Sequence, residues 1–211
     1  MIQTASNDSV FVIGSGGHAK VVIDVLLQND YKIKGVLDDN RERIGQQICG
    51  IDVIATTDYL NKIKTPSAII AIGDNKTRKS ISQRFNHVKW VTVIHPRAFV
   101  HSSAHIGFGT IICAGAIVQP GVRLNNHIIV NTGATVDHDC FIGSFAHIAP
   151  GANLAGSVNA EEGAFIGIGA KVIPDIEIGE WSIVGAGATV ITPVSSNLVV
   201  VGTPARPIGK N

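Results

Sequence analysis

The 211 residues carry 17 Lys+Arg against 16 Asp+Glu, a formal net charge of +1, so the chain lacks the positive field that holds nucleic acid. At 45% hydrophobic and 16% charged it is too apolar to stay unfolded. No run approaches the ~18 consecutive apolar residues of a membrane span.

Met1–Ser9 has neither the basic nor the apolar segment of a secretory leader. The cysteines, Cys49, Cys113 and Cys140, are odd in number and scattered, which suits reduced thiols. The expectation is a cytoplasmic protein.

In chain order, Val10–Ile13 predicts a buried strand, Gly14-Ser15-Gly16-Gly17 a turn, and His18 to about Gln28 a helix. Ile33–Leu37 predicts a second strand ending in Asp38-Asp39. A third, Ser67–Ile72, runs into Gly73-Asp74-Asn75 and a helix to about Phe85, and Val88–Ile94 is a last strand. Alternating strands and helices imply a parallel sheet with its ligand site at the carboxyl ends of the strands. Gly14–Ala19 fits the G-x-G-x-x-G/A fingerprint, and the acidic pair follows about 20 residues on. Glycines there admit a phosphate to a helix N-terminus, and acidic side chains accept hydrogen bonds from sugar hydroxyls. The region amounts to about one half of a dinucleotide fold, which favours a nucleotide sugar over NAD.

Composition changes before Ile94. Residues 1–93 hold 12 of the 17 basic and 9 of the 16 acidic residues but 7 of the 23 glycines, leaving 5, 7 and 16 for residues 94–211. Two domains are expected, 1–93 and 94–211.

The second holds a hexad repeat. Every sixth residue from Ile94 to Val190 is Ile, Leu or Val, with Ala160 the one exception among 17 positions. Four residues after each comes a second column of small or β-branched residues, among them Ala116, Ala134, Cys140, Ala152 and Ala188. A period of six fits neither helix nor alternating strand. It fits a parallel β-helix whose hexads form the three faces of a prism, with the aliphatic column on the axis. The hexads predict the left-handed form, between five and six coils. The expected fold is thus an α/β Rossmann-like half domain followed by an all-β left-handed parallel β-helix.

Polar residues concentrate between Asn125 and His147. His138 and Asp139 lie two and three places past the inward Val136, so at least one of them should face solvent or a neighbouring subunit, and a histidine beside a carboxylate is a general-base candidate. Cys140 lies in the small inward column and reads as core. His101, His105, His127, His138 and His147 do not repeat at 18, the spacing that would stack metal ligands, so no metal is expected.

These features resemble the bacterial hexapeptide-repeat sugar-nucleotide acetyltransferases over nearly the whole chain. The likeness rests on GSGGHAK (Gly14–Lys20), Leu37-Asp38-Asp39, AIGDN (Ala71–Asn75), Ile94-His95-Pro96, NTGATVDHDC (Asn131–Cys140), HIAPGANLAG (His147–Gly156) and VGTPA (Val201–Ala205). The resemblance implies His138 as catalytic base, Asp139 as its orienting carboxylate with Asp137 as fallback, and Asn131 as a substrate-side amide. It implies that His147, Gly156, Ile168 and Ala186 bind acetyl-CoA, the co-substrate. It also implies that Gly14, Ser15, Gly16, His18, Asp38, Asp39, Gly73, Asp74 and Asn75 hold the nucleotide-linked amino sugar, and that the enzyme is a homotrimer. The reaction it implies is acetylation of the 4-amino group of a UDP-linked amino-dideoxy sugar. A GDP-linked sugar such as perosamine, and O-acetylation of sialic acid or another surface sugar, are the alternatives.

Overall fold

A computed structural model describes residues 9–211, so the expectation about Met1–Asp8 lies outside it. The chain divides between Pro96 and Arg97 into two compact units.

In the first, β1 (Ser9–Ile13), α1 (Gly17–Leu27), β2 (Lys32–Leu37), β3 (Gln47–Ile48), β4 (Ile51–Ala55), β5 (Ser67–Ile70), α2 (Asn75–Arg84) and β6 (Lys89–Trp90) build one sheet in the order β3-β4-β2-β1-β5-β6. All neighbours are parallel except β3, which pairs antiparallel with β4 at the edge. Side chains alternate across β1. Phe11 and Ile13 join Leu37, Leu60, Ile70, Ile81 and Phe85 in one core, and α1 buries Ala19, Val22, Ile23 and Leu26. The β3–β4 hairpin has no forecast in the sequence, and the expected strand Val88–Ile94 splits into Lys89–Trp90 and Val93–Ile94. β1 is flanked by β2 on one side and β5 on the other, so the chain winds both ways from it. Ligands of open α/β sheets bind at such a switch point.

The second unit is a parallel β-helix of two-residue strands. Pairing partners sit 18 residues apart on each face: Ile117, Thr135, Asn153, Lys171 and Thr189 on one; Arg123, Phe141, Asn159 and Glu177 on the next; Ile111, Ile129, His147, Phe165 and Ile183 on the third. The axial column is buried from Ile112 through Val190, while Val100 and Ile106 in the first coil are only half-buried. The last coil shortens, with Val184 pairing Val200 before an antiparallel strand, Arg206–Lys210, closes the sheet.

One residue per hexad, three places past the axial one, adopts left-handed φ between 56° and 73° from Gly109 to Gly187. These residues stack into three corner columns. The first is Gly109, His127, Phe145, Gly163 and Trp181, and its ring contacts include His127 stacked on Phe145 at 5.2 Å. The second, Gly115, Gly133, Gly151, Gly169 and Gly187, is glycine throughout. The third is Gly121, Asp139, Ser157 and Asp175. Among the described residues, no helix is long and apolar enough to cross a membrane.

Candidate active site

At the third corner the chain leaves the strand Thr135–Val136 through Asp137-His138-Asp139. Asp139 takes the left-handed turn, φ 59°, a conformation that short polar side chains tolerate. Its Oδ2 lies 2.9 Å from His138 Nδ1, and Asp137 Oδ1 accepts the His138 backbone N–H at 2.7 Å. An ionised carboxylate only accepts, so Nδ1 carries the proton and Nε2 is the basic nitrogen. The Asp139 hydrogen bond, aided by the charges of Asp137, Asp139 and Asp175 and opposed by desolvation, raises the exposed imidazole above its ordinary 6.5.

The ring lies across the next coil, on Gly156. A Cβ there would stand 2.5 Å from both Cε1 and Nε2, so only glycine lets the imidazole settle on this backbone. Ladder hydrogen bonds run from Ala155 N to Val172 O and from Ser157 N to His138 O, and skip the Gly156 N–H between them. The imidazole therefore rests on a residue whose N–H takes no part in the coil-to-coil ladder. Cys140 is core, its Sγ donating to Ala155 O at 3.1 Å, and burial pushes its thiol up to about 11. Burial likewise pushes Cys113 up to about 12, so neither is a ready nucleophile.

Asn131 and His147 form a separate pair beside the second corner. Asn131 Oδ1 accepts the Thr132 N–H at 2.8 Å, which orients the amide so that its NH2 donates to His147 Nε2 at 3.1 Å. His147 also packs edge-on against Phe165, ring centroids 5.2 Å apart. Asn131 thus orients His147, whereas the family likeness reads it as a substrate-side amide. Ile168, 60% exposed, and the exposed Ala186 flank Gly169 and Gly187 on the same corner.

Other corners accept His, Phe, Trp, Asp and Ser in the left-handed conformation, so the turn alone does not demand glycine at the second. Nor does internal packing, since added Cβ atoms at Gly133, Gly151, Gly169 and Gly187 would meet nothing within 4 Å. An open all-glycine edge suits close approach of something outside the chain. Within one chain a whole face separates this edge from His138.

In the α/β unit the expected residues gather at the ends of β1, β2 and β5. Gly14 N donates to Leu37 O, and a Cβ on Gly14 would strike Ile72 at 2.6 Å, so the glycine turn and the crossover after β5 lie side by side. Ser15 ties its N and Oγ to Asp38 Oδ2 at 2.8 and 2.6 Å, and Gly16 is open. Asp39 turns elsewhere, accepting from Thr57 N and Oγ1 and pairing with Arg84 at 3.3 Å. Burial would raise Asp39, but the Thr57 hydrogen bonds and Arg84 outweigh it and hold the carboxyl low. Asp74 caps α2 through Thr77 N at 2.7 Å, and the Thr77 side chain first, with this backbone bond second, lowers its pKa. His18 is driven down to about 4, by burial first and by the charge of Arg78 second.

Arg78 has no forecast in the sequence. It lies one turn before the buried Ile81 on α2, with the buried Phe85 just past the helix end, and a cation on an apolar stripe is the signal that would have flagged it. Among the described residues no three or more His, Cys, Asp or Glu gather as a metal would require.

Comparison with known proteins locates these features. Residues 9–85 match the PglD N-terminal domain, and residues 161–192 match the bacterial transferase hexapeptide (six repeats). PerB of Caulobacter crescentus, solved with CoA and GDP-perosamine, is 34% identical with TM-score 0.90, the match covering 97% of this chain and 99% of that one. The acetyltransferase domain of PglB from Neisseria gonorrhoeae, solved with acetyl coenzyme A, is 36% identical with TM-score 0.90, covering 96% and 100%.

The UDP-N-acetylbacillosamine N-acetyltransferase of Bacillus subtilis is 41% identical over 111 residues, 50% of this chain and 51% of that protein. An uncharacterized protein of Acanthamoeba polyphaga mimivirus is 37% identical over 103 residues, 49% of this chain and 21% of that protein. The matched regions thus span about half and about a fifth of these two curated relatives.

Proposed function

This chain belongs to the hexapeptide-repeat sugar N-acetyltransferases, and from that premise we propose that it moves the acetyl group of acetyl-CoA to an amino group of a nucleotide-linked amino-dideoxy sugar. The observation that carries the reading is the imidazole of His138, oriented by Asp139 and seated on Gly156. In this reading Nε2 of His138 takes a proton from the sugar amine as its nitrogen attacks the thioester carbonyl. The Gly156 N–H holds the oxyanion, the C–S bond breaks, and the imidazolium returns its proton to the departing thiolate. The products are an N-acetylated sugar and free coenzyme A. No residue of the protein is acylated, in keeping with two cysteines held as thiols.

We assign residues 1–93 to the nucleotide sugar and 94–211 to acetyl-CoA and the chemistry. The open glycine corner, with Ile168 and Ala186, would take the pantetheine arm. It lies a full hexad from His138, a span of up to about 20 Å. A second copy that presents its glycine corner to the His138 corner of the first would complete the site, which is the arrangement a cyclic homotrimer provides. A protein of this kind, consuming acetyl-CoA and nucleotide sugars, would work in the cytoplasm.

The 4-amino group of a UDP-linked sugar is the first choice of acceptor, given the Bacillus relative. A GDP-linked amino sugar is the second, favoured by the PerB match across nearly the whole chain. Thiol release from acetyl-CoA, followed with UDP-N-acetylbacillosamine, GDP-perosamine and a hydroxyl-only sugar nucleotide, tests the proposal. Release with an amino sugar alone is expected. Release with the hydroxyl acceptor alone would replace it with O-acetylation.

A further inference from the structure

Arg78 is 1% exposed, and taking a guanidinium out of water carries a heavy desolvation penalty that an apolar side chain such as methionine would avoid. Three of the Arg78 hydrogen bonds go to one place. Nη1 donates to Ile72 O at 3.1 Å and to Gly73 O at 3.0 Å, and Nη2 donates to Asn75 Oδ1 at 2.9 Å. Ile72 and Gly73 lie in the crossover from β5 to α2 and Asn75 opens α2, and Ile72 is the residue against which Gly14 packs.

We infer that Arg78 is a positioning residue for the nucleotide-sugar loops of the α/β unit, its forked guanidinium fixing the Ile72–Asn75 segment against the Gly14 turn. The inference rests on the proposed role of those two loops in binding the nucleotide sugar. A fork that spans two carbonyls and an amide sets a geometry that a single ammonium does not. Burial first and the same charge second lower His18, the first side chain after the glycine turn, so a nucleotide sugar would meet it as a neutral imidazole. Asp74, whose carboxylate faces Arg78 from the N-cap of α2, is the acidic group that partly offsets the burial of the guanidinium.

Calorimetric titration of the wild type, Arg78→Lys and Arg78→Met with UDP-N-acetylbacillosamine, GDP-perosamine and acetyl-CoA tests this role. The Met variant is expected to lose at least roughly tenfold in affinity for the nucleotide sugar that the wild type binds, with Lys restoring only part of it. Acetyl-CoA affinity should stay within twofold in both, and kcat at saturating sugar within threefold, so the loss falls on KM. A purely structural role would lower the melting temperature and leave the ratio of the two affinities unchanged. Nucleotide-sugar affinity within twofold of wild type in a folded variant overturns the inference. Should Arg78→Met not fold, Arg78→Lys decides by the same ratio. A wild type that binds neither nucleotide sugar overturns the binding reading, and this role with it. Normal binding in the variants overturns this role alone.

Discussion

Two histidines show how one side chain is adapted to opposite ends by its surroundings. His138 stands exposed on a corner of the β-helix, bonded through Nδ1 to a carboxylate and raised above 6.5. His18 lies in the first turn of α1, largely buried near a guanidinium and lowered to about 4. The first environment stabilises the proton that a base must accept. The second disfavours protonation above about pH 4 and leaves a neutral imidazole, suited to recognition. Carboxylate against guanidinium, and water against burial, account for the contrast.

Removing the first histidine should do the most damage. His138→Ala is expected to lower the acetyl-transfer rate by about 10²–10⁴, and a loss below threefold would strip His138 of its role. Gly156→Ala drives a methyl group into the ring and should cost on the order of 10² in kcat through displacement alone, the fold remaining intact by circular dichroism. Wild-type kcat in that variant would mean the ring need not rest there.

The second histidine is read through stability. Its folded pKa lies below the unfolded 6.5, so between pH 6.5 and 4 the unfolded chain binds a proton that the folded one refuses, and stability falls as pH falls. His18→Asn should remove about 3 kcal/mol of that fall, seen as a flatter dependence of urea midpoints on pH. Equal slopes in the two proteins would contradict the burial assigned to His18.

Asp139→Asn takes away the leading cause of the raised His138. The acid limb of kcat/KM should move to lower pH, with the rate falling by roughly an order of magnitude. A limb that stays put would shift the orienting role to Asp137. The smallest effect is expected at Gly169→Ala on the open corner. It should raise KM for acetyl-CoA, at a stability cost of about 1–2 kcal/mol for the left-handed turn, and leave the nucleotide-sugar KM unchanged. A change in the nucleotide-sugar KM instead would move the pantetheine elsewhere.

The β-helix was legible because its signal is redundant: an aliphatic residue every sixth place, buried from Ile112 to Val190, holds register over many coils. The corners were only half legible. Glycine announces a left-handed turn, but His127, Phe145 and Trp181 adopt the same φ with no local signal, because ring packing between coils stabilises it. Two-residue β3 has no periodicity to read.

In the site, the sequence pointed to His138 beside Asp139, since neighbours along the chain stay neighbours in space. That Asn131 serves His147, and that Asp39 turns to Thr57 and Arg84, depends on which way a side chain swings and on partners 16 to 45 residues away. Arg78 was hidden for the same reason, its meaning lying in a loop that it folds back upon.

Transfer of [13C]acetyl from acetyl-CoA, followed by NMR on UDP-N-acetylbacillosamine and on GDP-perosamine, addresses the account at its centre. The account predicts a labelled amide on the sugar nitrogen, resistant to hydroxylamine and absent with His138→Ala. A hydroxylamine-labile ester, or no labelled sugar from either acceptor, would contradict it.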